Sequence, residues 1–126
     1  PIVASDRDPG AIAATEANAE RAGVRPWLTI RQAELREATP PGERGLVITN
    51  PPYGVRIAER RRLPAIYAAL GARLRERFAG PGLRWRLALL VPDPSLAAAT
   101  GLTLAPRLHF RNGGIPVTLF VGAITR

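Results

Sequence analysis

The chain has 126 residues, enough for one domain around one core, and no cysteine, which excludes disulfides, zinc–thiolate sites and cysteine nucleophiles. Its apolar runs all fall far short of the roughly 20 residues that span a bilayer, and no signal-peptide pattern is present. The formal net charge of +8 rests on Arg alone among Lys and Arg, and it has two readings: a GC-rich genome, which favours Arg, Ala, Gly and Pro together, or an electrostatic footprint for nucleic acid.

The first apolar run, Ile2 to Ser5, predicts a short buried strand. Because it follows directly on Pro1, with no Met, an upstream part is expected. Asp6-Arg7-Asp8-Pro9-Gly10 ends the strand. Asp8 followed by Pro9 predicts a helix start, since the carboxylate accepts from free first-turn amides and Pro has no amide to leave unpaired there. The helix runs through Ala11, Ile12, Ala14, Ala17, Asn18 and Arg21, and Gly23 closes it as a left-handed cap. Trp27 to Arg31 reads as a second strand, Pro40-Pro41-Gly42 as a loop, and Leu46 to Thr49 as a third strand, apolar as in a sheet covered on both faces.

From Leu63 to Phe78, apolar residues at 63, 66, 67, 70, 74 and 78 form one helical stripe, with Arg73, Arg75 and Arg77 off it. Gly80 ends that helix. Trp85 to Val91 is a fourth strand, and Asp93-Pro94 repeats the cap signal before a short Ala-rich helix. Leu102 to Phe110 and Ile115 to Ile124 are extended runs. Between them, Arg111-Asn112-Gly113-Gly114 supplies the positive φ angles of a tight hairpin. This order predicts a single α/β domain over residues 1–126: a mostly parallel sheet with right-handed crossovers, closed by an antiparallel hairpin at or near an edge.

The chemistry concentrates at Asn50-Pro51-Pro52-Tyr53, at the C-terminal end of a buried strand, where ligands bind in open α/β sheets. An exocyclic amine on an aromatic ring is a poor nucleophile, because its lone pair is delocalised. A site that methylates it needs acceptors for both N–H groups and a flat surface for the ring. Asn50 offers a side-chain carbonyl, Pro51 a backbone carbonyl rigidly aimed by its fixed φ, and Tyr53 a stacking face. Such a site works by positioning more than by acid–base catalysis. Asp6, at the end of the first strand, can accept from both hydroxyls of a ribose. It can equally serve as a turn residue. Glu34, after the second strand, is a candidate for the adenine end of a nucleoside or a solvated loop residue. Arg56, Arg60, Arg61 and Arg62 follow the base site directly and are placed to meet phosphates. The one histidine, His109, reads as a structural or surface residue; no metal-ligating cluster is evident.

Asn50-Pro51-Pro52-Tyr53-Gly54, with Arg56 and Ile57, resembles the NPPYG-x-R-[LI] signature of THUMP-linked class I RNA methyltransferases, many of which are labelled adenine-specific DNA methylases. Ser5 to Ile12 and Asn18 to Val24 are similar to that family's segment after its second strand. Leu63, Tyr67, Leu70 and Gly71 resemble its helix after the signature, and Asn112-Gly113 its terminal hairpin. The resemblance covers the whole chain. It implies a Rossmann-like class I methyltransferase sheet in the order 3-2-1-4-5-7-6 and S-adenosyl-L-methionine as methyl donor. It also implies a cytoplasmic enzyme methylating guanine N2 in rRNA or tRNA, with Asp6 on the cofactor ribose and Asn50 to Tyr53 on the base. A DNA adenine or protein glutamine methyltransferase would share the Asn-Pro-Pro-Tyr. The family's first strand, its Gly-rich turn and its THUMP domain are absent from this chain, and Glu34 stands where the family usually has Asp. The chain taken alone is therefore expected to be inactive, surviving as a fold or nucleic-acid-binding remnant, or to self-associate through exposed sheet edges.

Overall fold

The computed structural model describes residues 1–53 and 57–126, which fall into two compact units, Pro1–Pro41 and Gly42–Arg126. In the first, strand β1 (Ile2–Asp6) leads into helix α1 (Pro9–Arg21), and strand β2 (Leu28–Gln32) returns parallel to β1, from Ile2 opposite Leu28 to Asp6 opposite Gln32. The Asp8 carboxylate accepts from the Gly10 and Ala11 amides at 3.4 and 3.1 Å, as its place before Pro9 predicts. At the other end Gly23 has φ +72°; its amide reaches the Glu20 carbonyl, and that of Val24 the Ala19 carbonyl, both at 3.0 Å. That double bond pattern needs the left-handed residue that only Gly adopts without strain. Trp27 ends a 3₁₀ turn (Arg25–Trp27) and is exposed, so the second strand starts one residue later than predicted.

The second unit holds strand β3 (Arg44–Thr49), helix α2 (Ile57–Phe78), strand β4 (Arg84–Val91), helix α3 (Pro94–Ala99) and the hairpin of β5 (Ala105–Asn112) and β6 (Ile115–Ala123). The sheet order is β3-β4-β6-β5: β3 parallel to β4, β6 antiparallel to both neighbours. The orders β2-β1 and β3-β4-β6-β5 match, each by itself, the runs 3-2 and 4-5-7-6 of the order that the resemblance implies. The core lies around β4, whose Trp85, Leu87, Ala88, Leu89 and Val91 are buried, as are Leu63, Tyr67, Leu74 and Phe78 of α2 and Val117 and Phe120 of β6. Each such large side chain contributes roughly 1.5–3 kcal/mol by leaving water. The Trp85 ring sits 5.1 Å from that of Phe78, tilted by 58°, and its indole N–H donates to the Gly42 carbonyl at 3.0 Å.

Four expectations shift. Neither β1 nor β3 is a buried strand: Ile2, Val3, Leu46 and Ile48 are 60%, 40%, 53% and 69% exposed, because each strand is an end strand with one hydrogen-bonded neighbour. Helix α2 begins at Ile57, ahead of Leu63; Glu59 to Arg62 are charged and carry no apolar stripe to betray it. Ile66 is exposed, and the buried line runs instead through Leu63, Tyr67, Gly71, Leu74 and Phe78. Strand β5 begins at Ala105, because Gly101 takes φ +73° and the Leu102 amide is bound by the Thr100 hydroxyl at 3.2 Å. The hairpin turns at Gly113 and Gly114, φ +57° and +83°, the two positive angles that a two-residue turn of this hand needs.

Candidate functional site

Strand β3 ends at Thr49, and Asn50-Pro51-Pro52-Tyr53 leaves its C-terminal end, with two successive residues that have no amide to give a ladder. Asn50 and Pro52 are exposed, Pro51 and Tyr53 half-buried. The Tyr53 hydroxyl donates to Asn50 Oδ1, so the segment is closed on itself. An amide carbonyl has two lone pairs, which leaves Oδ1 one acceptor position for a further N–H.

Beneath this segment stands a residue that the sequence reading assigned no role in the site. Tyr67, on α2, is fully buried, and its hydroxyl donates to the Pro52 carbonyl at 3.3 Å. Its signal was there: a phenol in an otherwise apolar stripe needs a partner for its polar tip. Burial, with a smaller effect of the Tyr53 phenol, pushes the Tyr67 hydroxyl up to about 12. Tyrosine is neutral while protonated, so the folded state keeps a proton that the unfolded chain releases above pH 10. That contribution is complete below pH 10 and is lost as pH rises through about 12. Denaturant unfolding should therefore show stability falling by up to about 1.4 kcal/mol per pH unit across that window. Tyr67→Phe should abolish this component.

In the first unit, Asp6 and Glu34 come to the same end of the β1-β2 pair: the Ala33 amide donates to the Asp6 backbone carbonyl at 3.0 Å. Asp6 is exposed, and its Oδ1 accepts the Asp8 amide at 2.9 Å, the turn role that its position also allowed. This bond fixes the carboxylate at the strand end, and a carboxylate offers about four acceptor positions in all, so those that remain suit the hydroxyls of a ribose. The Glu34 carboxylate pairs with Arg36 Nε at 2.7 Å, and its amide is held by Glu37 Oε2 at 2.7 Å, a local arrangement of a 3₁₀ turn.

Arg60, Arg61 and Arg62 are exposed on the first turns of α2; Gly54 and Arg56 lie outside the described residues. Arg73 pairs with Glu76 at 2.7 Å within the helix, and Arg75 donates to the Thr100 carbonyl at 2.9 Å, which ties α2 to the end of α3. His109 Nδ1 meets Thr118 Oγ1 across the hairpin at 2.8 Å. Among the described residues no three metal-ligating side chains come together, and no helix is long and apolar enough to cross a membrane.

Parallel strands joined through helices, an antiparallel closing hairpin and Asn-Pro-Pro-Tyr at a strand end define a Rossmann-like class I methyltransferase fold. The chain belongs to the family of RMKL-like methyltransferase domains, whose profile matches residues 1–120. It is 43% identical over 119 residues to the Ribosomal RNA large subunit methyltransferase K/L of Chromohalobacter salexigens, an alignment covering 92% of this chain and 16% of that protein. The chain thus spans about a sixth of the length of that relative. Among solved structures, a possible methylase from Clostridium difficile 630 superposes with a TM-score of 0.80 at 26% identity, over 95% of this chain and 30% of its own. SMU.472, solved complexed with SAH, superposes with a TM-score of 0.78 at 22% identity, over 95% of this chain and 30% of its own.

Proposed function

We propose that this chain is part of an enzyme that transfers a methyl group from S-adenosyl-L-methionine to guanine N2 in ribosomal RNA. The observation that carries the proposal is Asn50-Pro51-Pro52-Tyr53 at the C-terminal end of β3, an acceptor pair and an aromatic ring on one four-residue segment. Bound S-adenosyl-L-methionine supplies an electrophilic methyl group. Asn50 Oδ1 and the Pro51 carbonyl accept hydrogen bonds from the two amine N–H groups and turn the nitrogen lone pair toward it, and the one proton lost on methylation leaves to water. Tyr53 stacks on the base, and Asp6 holds the ribose of the donor; Glu34, already paired with Arg36, adds little at the adenine. The ribosomal RNA in the name of the Chromohalobacter relative and the SAH of SMU.472 support the substrate and the donor.

Arg60, Arg61 and Arg62, with Arg56, meet the RNA phosphates beside the base, and the reaction takes place in the cytoplasm, where ribosomal RNA is within reach. The open edges of β1 and β3, with Ile2, Val3, Leu46 and Ile48 exposed, are surfaces on which a further strand pairs, including one from a second copy of the chain.

The test is methyl transfer by the full polypeptide to unmodified large-subunit rRNA, tRNA, duplex DNA and protein, with the methylated product identified after digestion. N2-methylguanosine in rRNA is the expected product; N6-methyladenine in DNA or methylglutamine would overturn the proposal. In equilibrium binding titrations of the same rRNA, Arg61→Gln with Arg62→Gln should flatten the log–log salt dependence of binding by roughly 1 to 2, at about 0.7 to 0.9 per phosphate contact. An unchanged slope would assign these Arg to genome composition.

A further inference from the structure

We infer that Tyr67 is a positioning residue for methyl transfer, a buried strut whose hydroxyl fixes the Pro52 carbonyl and with it the geometry of Asn50, Pro51 and Tyr53. The inference rests on the reading of Asn50 to Tyr53 as the base site. Its own ground is a line of contacts running from the core to that segment. Helix α2 is seated on the end of α3: at Gly71 the helix lies so close that a Cβ would stand 1.8 Å from the Thr100 carbonyl oxygen. Arg75, one turn on, donates to that same oxygen at 2.9 Å. One turn before Gly71, Tyr67 is fully buried, and its ring cannot swing without opening the core. Its hydroxyl meets the Pro52 carbonyl at 3.3 Å, the bond by which it satisfies its polar tip. The next residue along, Tyr53, donates to Asn50 Oδ1. Strut, loop carbonyl and amide acceptor are therefore mechanically continuous. Asn50 to Tyr53 is proline-rich and lies outside the strand ladder, with Asn50 and Pro52 exposed and Pro51 and Tyr53 half-buried. The high proton affinity of the buried phenol keeps it a donor across the neutral range.

Methyl transfer of this kind works by orientation, and a misplacement of about 1 Å can cost 100-fold. Tyr67→Phe keeps the ring and removes only the hydroxyl. Phe78→Leu, on the same helix but packed on Trp85, serves as a control for lost stability. In the full polypeptide, Tyr67→Phe should lower kcat about 10- to 100-fold with KM for RNA within about twofold, while Phe78→Leu, at an equal or larger loss of Tm, keeps kcat within about twofold. In ¹H–¹⁵N spectra, the Asn50 side-chain amide and the Tyr53 backbone amide should move in Tyr67→Phe and stay in place in Phe78→Leu. A Tyr67→Phe enzyme with kcat within about twofold of wild type, or a Phe78→Leu enzyme equally slow, overturns the inference. If the wild-type protein methylates no nucleic acid, the functional reading fails instead, and the spectra decide the strut on their own: unmoved Asn50 and Tyr53 resonances overturn it, moved ones support it.

Discussion

Asn50→Ala should slow methyl transfer by about 100- to 1,000-fold while leaving the fold intact. Loss of one preorganised hydrogen bond to a group that changes charge in the transition state costs roughly 2.7–4 kcal/mol. The amine nitrogen is such a group, since it gains positive character as its lone pair attacks the donor methyl. The stability cost is small by comparison: Asn50 is exposed, and the hydroxyl that it leaves unpaired, that of Tyr53, is half-buried and within reach of water. Single-turnover rates at saturating RNA, read beside denaturant unfolding, separate the two effects. A rate within threefold of wild type would remove Asn50 from the chemistry and, with it, the reason for placing the base at the end of β3.

Gly71→Ala should destabilise the second unit by about 3 kcal/mol or more, at the upper end of what overpacking a core costs. In an ordinary helix the same change stabilises by about 0.8–1.0 kcal/mol, because Ala has the better helix propensity. Here the sign reverses. The new Cβ would stand 1.8 Å from the Thr100 carbonyl oxygen, 2.7 Å from its carbon and 2.9 Å from its Cα, all backbone atoms. Thr100 cannot step aside: it is fully buried, its hydroxyl donates to the Ala97 carbonyl at 2.7 Å and accepts the Leu102 amide, and its own carbonyl holds Arg75. At roughly 4–8 °C per kcal/mol the melting temperature should fall by some 12 °C or more. Gly80→Ala is the comparison, since its Cβ would make only an ordinary contact with Leu83 at 3.6 Å. Equal stability of Gly71→Ala and wild type would mean that α2 does not seat on the end of α3.

Both expected results turn on contacts that differ in how openly the sequence displays them. The helix starts at Asp8-Pro9 and Asp93-Pro94, the cap at Gly23 and the hairpin turn at Gly113-Gly114 were legible from residue type alone. So were the strands and helices in their order, and the place of Asn50 to Tyr53 after the end of a strand. The caps and the turn depend on bonds between residues two to five apart, which backbone geometry brings together whatever the rest of the chain does, and the elements show in residue type and spacing. For the same reason Asp6 stayed ambiguous: its carboxylate suits a ribose and also, as the structure shows, the amide of Asp8 two residues on.

What the sequence determined by itself is therefore the local grammar: element order, caps, the hairpin, and an Asn-Pro-Pro-Tyr segment placed at a strand end. Only the tertiary structure decided that the Tyr67 hydroxyl supports the Pro52 carbonyl, that Gly71 is a packing contact with Thr100 more than a point of helix freedom, and that Ile66 faces solvent while its neighbours do not. It also decided that the apolar strands β1 and β3 lie open at the ends of their sheets. An apolar run declares that burial is favourable, but whether a neighbour is present to bury it is a property of the assembled sheet. A side chain's partner across the core depends in the same way on the faces that two distant elements turn toward each other, and no short-range pattern in the chain encodes that choice.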